Sequence, residues 1–454
     1  MGVDDLQAQF SERFGGACDF VVRAPGRVNL IGEHTDYNGL PVLPMALEHS
    51  IRMAVGRRTD RRIELQNVDP SFSADAFEIT HSIPPDSAGA WGNYVRAGVQ
   101  GIIDWPEDAV DIDSLSGCDL LVSGEIPSGA GLSSSSALVV ASALAFLETN
   151  GITYDRIELA DMLASAEHYV GTQGGGMDQA ACLLGEAGKA LKIDFFPLEV
   201  TPAIIPNGWS IVVCNTLIQA EKTRSALRLY NRRPIECRIA TAMLAQDLGY
   251  DPDRVARLAS LLSLERSLNE LLGVALDFFH EGGYGWPDIA DYLSISVDNA
   301  MKRLGRMRDG SLFEEPEDGF QLRRRVRHVL TEAARVEDSA QSLMSGDIQR
   351  FGELINESHR SCRDDYDISC PELNVLVEIA RVAGAAGSRL TGAGFGGCTV
   401  SLVPDDRVES FTFQVWDEYY ERYLMVKRPD LLRSLEPAAV IFSSKPSQGA
   451  QIVR

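Results

Sequence analysis

The stretch Ser128-Gly129-Ala130-Gly131-Leu132-Ser133-Ser134-Ser135-Ser136-Ala137 decides how the chain is read. Gly129 and Gly131 permit tight or positive-φ turns and let backbone approach a ligand closely. The serines that follow each offer a hydroxyl donor and acceptor. Ala137 to Leu147 is apolar almost all round, which predicts a buried helix, and Asn150-Gly151 marks its end. A glycine–serine loop feeding such a helix gathers unpaired N–H groups and the positive dipole end at one point, an anion site suited to phosphate. A serine-capped core helix after a flexible turn is the plainer alternative, but this run exceeds what a cap needs. The lysine P-loop is excluded, because it requires Gly-Lys-Ser/Thr and no Lys lies between Met1 and Gly188.

The chain has 454 residues and 45% hydrophobic content, so two domains and a large core are expected. The net charge of −23 argues against non-specific binding to nucleic acid or to an anionic membrane, and an anionic substrate would need a locally positive site. Eight scattered cysteines, none in a C-x-x-C pair, point to a reduced, cytoplasmic protein. The N-terminus has no signal pattern, Leu6 stands where a myristoylation motif needs Ser or Thr, and no apolar run approaches membrane-spanning length.

Working outward, residues 4–14 predict an amphipathic helix, and strands are expected at 19–22, 51–56, 63–67 and 120–124. Trp91 to Val95 opens a helical stretch, and 155–170 reads as a helix carrying Glu167. Gly171-Thr172-Gln173-Gly174-Gly175-Gly176-Met177-Asp178 is a second glycine loop. The pattern changes at 202–208, before the strand-like 209–214. Expected domains are therefore 1–205 and 206–454, the second with a helical insertion around 250–330. The basic run Arg323-Arg324-Arg325-Val326-Arg327 reads as the solvated face of a helix. A third glycine loop, Thr391 to Gly397, mimics a dinucleotide fingerprint, but a strand follows where that fingerprint needs a helix, so it is rejected.

Several groups could carry chemistry. Arg27, Glu33, His34 and Asp36 fall within ten residues of a glycine-bounded segment and suit a polyhydroxylated ligand; an ordinary charged surface loop is an equal alternative. Asp178, after three glycines, could accept a hydroxyl proton, although a turn aspartate capping the next helix is the commoner use. Glu167 is a candidate Mg²⁺ ligand, set against one more exposed helix carboxylate. Together these parts match the needs of phosphoryl transfer: a phosphate cradle, a metal site, an orienting carboxylate and a cation.

Pro25 to Tyr37, with Gly26-Arg27-Val28-Asn29-Leu30-Ile31-Gly32-Glu33-His34-Thr35-Asp36 between them, resembles the signature of the galactokinase branch of the GHMP small-molecule kinases. Gly129 to Ala137 resembles that family's ATP-phosphate motif and Thr391 to Gly397 its third motif. Glu357-Ser358-His359, Arg363 to Tyr366 and Ser369 to Leu373 are similar to it as well. The resemblance spans residues 20–405. It implies a two-domain α+β or α/β GHMP-kinase-like fold of mixed sheets with helices, and an active site in the interdomain cleft.

By position, the resemblance makes Glu33, His34, Asp36, Gly175 and Tyr230 sugar-binding residues. Asp178 becomes the catalytic acid/base and Arg27 its transition-state and pKa-tuning partner. ATP would be held by Gly129, Ala130, Gly131, Leu132, Ser133, Ser134, Ser135 and Ser136, with Trp91 and Tyr94 beside the adenine. Mg²⁺ would be held by Ser135 and Glu167. The implied activity is an ATP-dependent galactose 1-kinase, taking a sugar and ATP, as a monomer or weak oligomer. Residues 171–178, the serine run and the long helical region 250–330 also resemble N-acetylgalactosamine kinase. A non-catalytic galactose and ATP sensor is the alternative of a different class.

Overall fold

The computed structural model describes residues 2–87, 89–105, 111–127, 129–170, 175–218, 224–262, 267–307, 310–431 and 436–453, without the side chains of His168 and 224–227. The strands are β1 (Phe20–Asn29), β2 (Pro44–Arg57), β3 (Arg62–Asn67), β4 (Asp75–Glu78), β5 (Cys118–Gly124), β6 (Lys189–Asp194), β7 (Glu199–Ile204), β8 (Trp209–Asn215), β9 (Gly387–Leu390), β10 (Cys398–Pro404), β11 (Ile441–Ser444) and β12 (Gln451–Val453). Helices α1 (Val3–Phe14), α2 (Gly92–Ile103), α3 (Ser134–Asn150), α4 (Arg156–Ala166) and α5 (Met177–Leu184) come first. They are followed by α6 (Arg224–Asp247), α7 (Leu268–Phe278), α8 (Trp286–Tyr292), α9 (Val297–Leu304), α10 (Leu322–Ser345), α11 (Ile348–Asp364), α12 (Pro371–Val382) and α13 (Val408–Val415).

Two compact units result: Met1–Val28, Pro44–Leu191 and Lys445–Arg454 form the first, and Asn29–Leu43 with Lys192–Ser444 the second. The expected cut between 205 and 206 is not where the units divide. Pro206-Asn207-Gly208 turns the chain between β7 and β8, with Gly208 at φ 88°, and a turn signal says nothing about which distant segments pair. The C-terminal strand shows the point: β12 pairs antiparallel with β1, Val21 opposite Val453, and so returns to the first unit.

The first unit is built on a mixed sheet ordered β12-β1-β2-β5-β3-β4. Helix α1 buries Leu6 and Phe10 against Val21, Ala54 and Leu121 on it, the expected amphipathic helix. Helix α3 is buried from Ser136 to Leu147, as its all-round apolar sequence requires, and Gly151 ends it at φ 65°. Gly98 of α2 faces it so closely that a Cβ there would stand 2.5 Å from the Val139 carbonyl oxygen, so only glycine fits.

The second unit has an antiparallel sheet ordered β11-β8-β10-β9, with Leu376 and Ala380 of α12 and Phe411 and Val415 of α13 packed on Val212, Cys214 and Val403. Its helical part, α6 to α10, encloses Ile239, Leu271, Trp286, Phe320 and Val329. Among the described residues no helix is long and apolar enough to cross a membrane, and the eight cysteines are free thiols.

The basic run on α10 is not a solvated face. Arg325 is buried and pairs with the equally buried Glu236, while Arg323 pairs with Glu281, Arg327 with Asp365, and Arg324 donates to the Asp364 carbonyl. Local charge counting missed this because every partner lies at least 38 residues away in sequence. Glu236 also pairs with Arg232 at 2.8 Å, so removing Arg325 leaves a fully buried carboxylate with one cation in place of two, and costs the low end of what breaking a buried ion pair does. Arg325→Met should therefore lower the unfolding free energy by about 3 kcal/mol, as read by urea denaturation. A change near zero would mean Glu236 does not depend on Arg325.

Candidate active site

In the first unit the glycine–serine loop lies against the end of β1. The Arg27 amide donates to the Leu132 carbonyl at 3.2 Å, and Arg27 Nη1 to that of Gly131 at 2.7 Å. A Cβ on Gly26 would meet the Leu132 oxygen at 2.8 Å, so the two segments touch only because residue 26 is glycine. Gly129, Gly131 and Ser133 all take positive φ, at 71°, 76° and 58°. Gly129 and Gly131 meet the demand expected of them; Ser133 does so at a steric cost. Ser128 and residues 171–174 lie outside the described residues.

Ser133 is the N-cap of α3, yet its hydroxyl makes no cap bond to the helix. It donates to Asp178 Oδ2 instead. The first-turn amides of α3 are thus left without their usual side-chain cap, at the positive end of a buried helix, which is the arrangement an anion uses. Ser134 and Ser135 stand half-buried in that turn.

Asp178 sits in the first turn of α5, whose N-cap is Gly176 at φ 101°, next to half-buried Gly175. It does not cap its helix, the commoner use of a turn aspartate. Its carboxylate accepts from Arg27 in a two-point pair, Nε to Oδ1 at 2.7 Å and Nη2 to Oδ2 at 2.8 Å. Arg27 is buried, and the Asp178 side chain keeps 26% exposure, so the carboxylate is anchored from within and open on one side.

Glu167 is not mid-helix: α4 ends at Ala166 and a tight turn, Glu167–Val170, begins there. It is buried, and it accepts from Ser136 Oγ at 2.9 Å and from Gln179 Nε2 at 2.5 Å. Burial and then the Asp178 charge push its carboxyl up to about 7, against the donated bonds of Ser136 and Gln179. Tyr94 of α2 has its phenol pKa raised by burial and by the Glu167 charge, so it belongs to the same cluster. Trp91 donates through Nε1 to the Ser73 carbonyl at 2.8 Å and meets Phe72 edge-on.

In the second unit the third glycine loop holds the signature segment. The Gly392 amide donates to Glu33 Oε1 at 2.8 Å, and Arg389 Nη1 approaches the same oxygen at 3.3 Å. Glu33 and Arg389 are both buried. The loop is not a dinucleotide site: β10 follows it, and its carbonyls and amides serve the segment around Glu33. Asp36 opens a short 3₁₀ turn, Asp36–Asn38, and is buried.

His34 takes φ 63° and is buried. Its Nε2 lies 3.2 Å from the Ala393 carbonyl, which can only accept, so Nε2 carries the proton and Nδ1 accepts from the Tyr37 hydroxyl at 3.0 Å. Tyr37 in turn contacts the Tyr366 hydroxyl at 2.6 Å. Both ring nitrogens of His34 are thus engaged by protein. Tyr230 packs its ring 5.6 Å from that of His34.

Arg389, Gly392, Gln179 and the Tyr37–Tyr366 pair were not singled out from sequence. The third glycine loop was the one signal that could have found Gly392. The others are ordinary residues until their distant partners are known.

Burial lowers the pKa of His34 to about 3 and of His328 to about 4. A histidine depressed below its unfolded value near 6.5 leaves the folded state with fewer bound protons in acid. The stability tied to these two rings is therefore complete above about pH 6.5 and is lost as pH falls toward the folded values. Ring signals of both histidines in NMR should stay in the neutral position from pH 8 to about 5. A midpoint near 6.5 for either would contradict their burial.

Family models agree with this geometry. The galactokinase galactose-binding signature matches residues 8–57, the GHMP kinases N terminal domain 93–186 and the GHMP kinases C terminal domain 339–422. A galactokinase of Dictyostelium discoideum is 35% identical, over 99% of this chain and 93% of that protein. One of Chloroflexus aggregans is 38% identical over 89% of each. Among solved structures, Lactococcus lactis galactokinase complexed with galactose superposes with a TM-score of 0.77 at 28% identity, covering 99% of each chain. A mevalonate kinase at 15% identity and a TM-score of 0.52, over 95% of this chain and 100% of that one, shares the fold alone. The chain belongs to the galactokinase family of GHMP kinases.

Proposed function

We propose that this protein is an ATP-dependent sugar 1-kinase that phosphorylates the anomeric hydroxyl of D-galactose, giving galactose 1-phosphate and ADP. The observation that carries the reading is the two-point Arg27–Asp178 pair with Ser133 on the same carboxylate. It holds a partly exposed carboxylate beside the glycine–serine loop, which supports the reading of that carboxylate as a base. The names of the relatives supply the sugar.

Asp178 takes the proton of the C1 hydroxyl as that oxygen bonds to the γ-phosphorus and the bond to the β-phosphate oxygen breaks, releasing ADP. Arg27 orients the carboxylate and supplies positive charge beside the transferring group. The backbone of residues 129–133 and the uncapped amides of α3 hold the phosphates. Glu33 and Asp36 carry hydroxyl contacts to the sugar, with Gly175 and Tyr230 completing the contact set. His34 belongs to the same sugar-binding set, its ring oriented by Ala393 and Tyr37.

The residues fit Mg²⁺, a hard cation usually held by one or two protein oxygens plus substrate phosphates. Among the described residues no cluster of three or more His, Cys, Asp or Glu is placed to hold a metal without such help. Ser135 and Glu167 would be its protein ligands. Glu167 accepts from Ser136 and Gln179, and burial, then the nearby Asp178 charge, raises its pKa, a penalty that a bound cation would relieve. When bound, the metal neutralises charge on the β- and γ-phosphates.

Asp178→Asn keeps the shape and removes the base, and should lower kcat by roughly 10²–10⁴-fold. Near-normal turnover would sink the role given to Asp178. A panel with ADP readout should give a higher kcat/KM for galactose than for N-acetylgalactosamine. The reverse order would reassign the sugar, and ATP binding without sugar-dependent ADP release would leave a sensor.

A further inference from the structure

Helix α10, beyond its arginines, reaches the signature segment. His328 Nε2 lies 3.1 Å from the Glu33 carbonyl, an acceptor, so this nitrogen donates and Nδ1 accepts from Ser361 Oγ at 2.9 Å. One turn later, Glu332 Oε1 accepts from the Gly32 amide at 3.0 Å and from Ser358 Oγ. Its other oxygen accepts from Arg335 Nε at 2.8 Å. His328 and Glu332 are fully buried. Gly32 itself takes φ 99° and has Val336 of the same helix where a Cβ would stand, 2.8 Å away. The Gly32 amide, one residue before Glu33, and the Glu33 carbonyl are thus gripped by side chains at i and i+4 of one helix. Both residues lie outside the segments that the family models match.

We propose that His328 and Glu332 are positioning residues for the sugar-binding carboxylate. They clamp the backbone before and after Glu33, while Gly392 fixes its side chain. A clamp at both backbone flanks holds the carboxylate direction, and a shift of even a fraction of an ångström in such a group is felt in binding. Neither residue touches the sugar. The inference rests on the galactose-kinase reading.

The test compares His328→Gln, whose amide N–H can reach the Glu33 carbonyl, with His328→Leu, which has no donor. Wild-type turnover of galactose is measured first; its absence overturns the kinase reading, and this proposal with it. Given an active wild type, His328→Leu should raise KM for galactose about 10-fold, the loss of one buried hydrogen bond, while KM for ATP stays within about twofold. His328→Gln should recover most of the loss. A merely structural role would instead lower the melting temperature and move both KM values together, or leave Gln no better than Leu, and either result overturns the proposal. Should His328→Leu not fold, Glu332→Gln carries the test: it keeps the volume but weakens the grip on the Gly32 amide. Its galactose KM should rise several-fold with ATP KM unchanged, and an unchanged galactose KM overturns the proposal.

Discussion

One ion pair organises the glycine–serine loop of the first unit and the helix turn beside it. Arg27 arrives on a sheet strand, Asp178 on the first turn of a helix 151 residues later, and the glycine–serine loop is threaded against both. Asp178 accepts two guanidinium bonds and a third from Ser133, the residue that would otherwise cap α3. The same contacts therefore orient a carboxylate and leave helix amides unoccupied by a cap. Preorganised charge of this kind, fixed before substrate arrives, lowers the reorganisation a phosphoryl transfer would need.

The segment around Glu33 is set by a second principle, burial of charge beside oppositely charged and hydrogen-bonding partners. Glu33, Arg389, Glu332, Arg325 and Glu236 are all inaccessible to solvent or nearly so. Such networks contribute less to net stability than apolar packing would, because desolvation offsets much of the attraction. What they supply here is direction. Glu33 cannot turn without breaking its bond to the Gly392 amide, and its backbone cannot move without breaking bonds to Gly32 and to its own carbonyl. His34, a non-glycine residue at φ 63°, fits the same picture, since a strained backbone persists only where its surroundings over-determine it.

Local features were legible in the sequence because their causes are local. The apolar run after the serines is α3, the alternating stretches are β2, β3 and β5, and the glycines of both phosphate-loop turns take the positive φ expected of them. The signature residues were legible as a polar set in a glycine-bounded segment. Their partners were not. Arg323 to Arg327 looked like surface charge because Glu236, Glu281 and Asp365 lie far away in sequence. The unit boundary misled for the same reason: β12 and Asn29–Leu43 are assigned by long-range pairing, while the turn at 206–208 is merely conspicuous. The tautomer of His34 needed the Ala393 carbonyl, which no spacing rule places beside it.

The central claim is that an oriented carboxylate directs phosphate to one hydroxyl of galactose. The most direct measurement is the position of the phosphate in the product, read by ³¹P–¹H correlation after incubation with galactose, ATP and magnesium. The account requires phosphorus coupled to the anomeric proton, with one ADP formed per ester. Phosphate at C6, or ADP formed without a sugar ester, would contradict it.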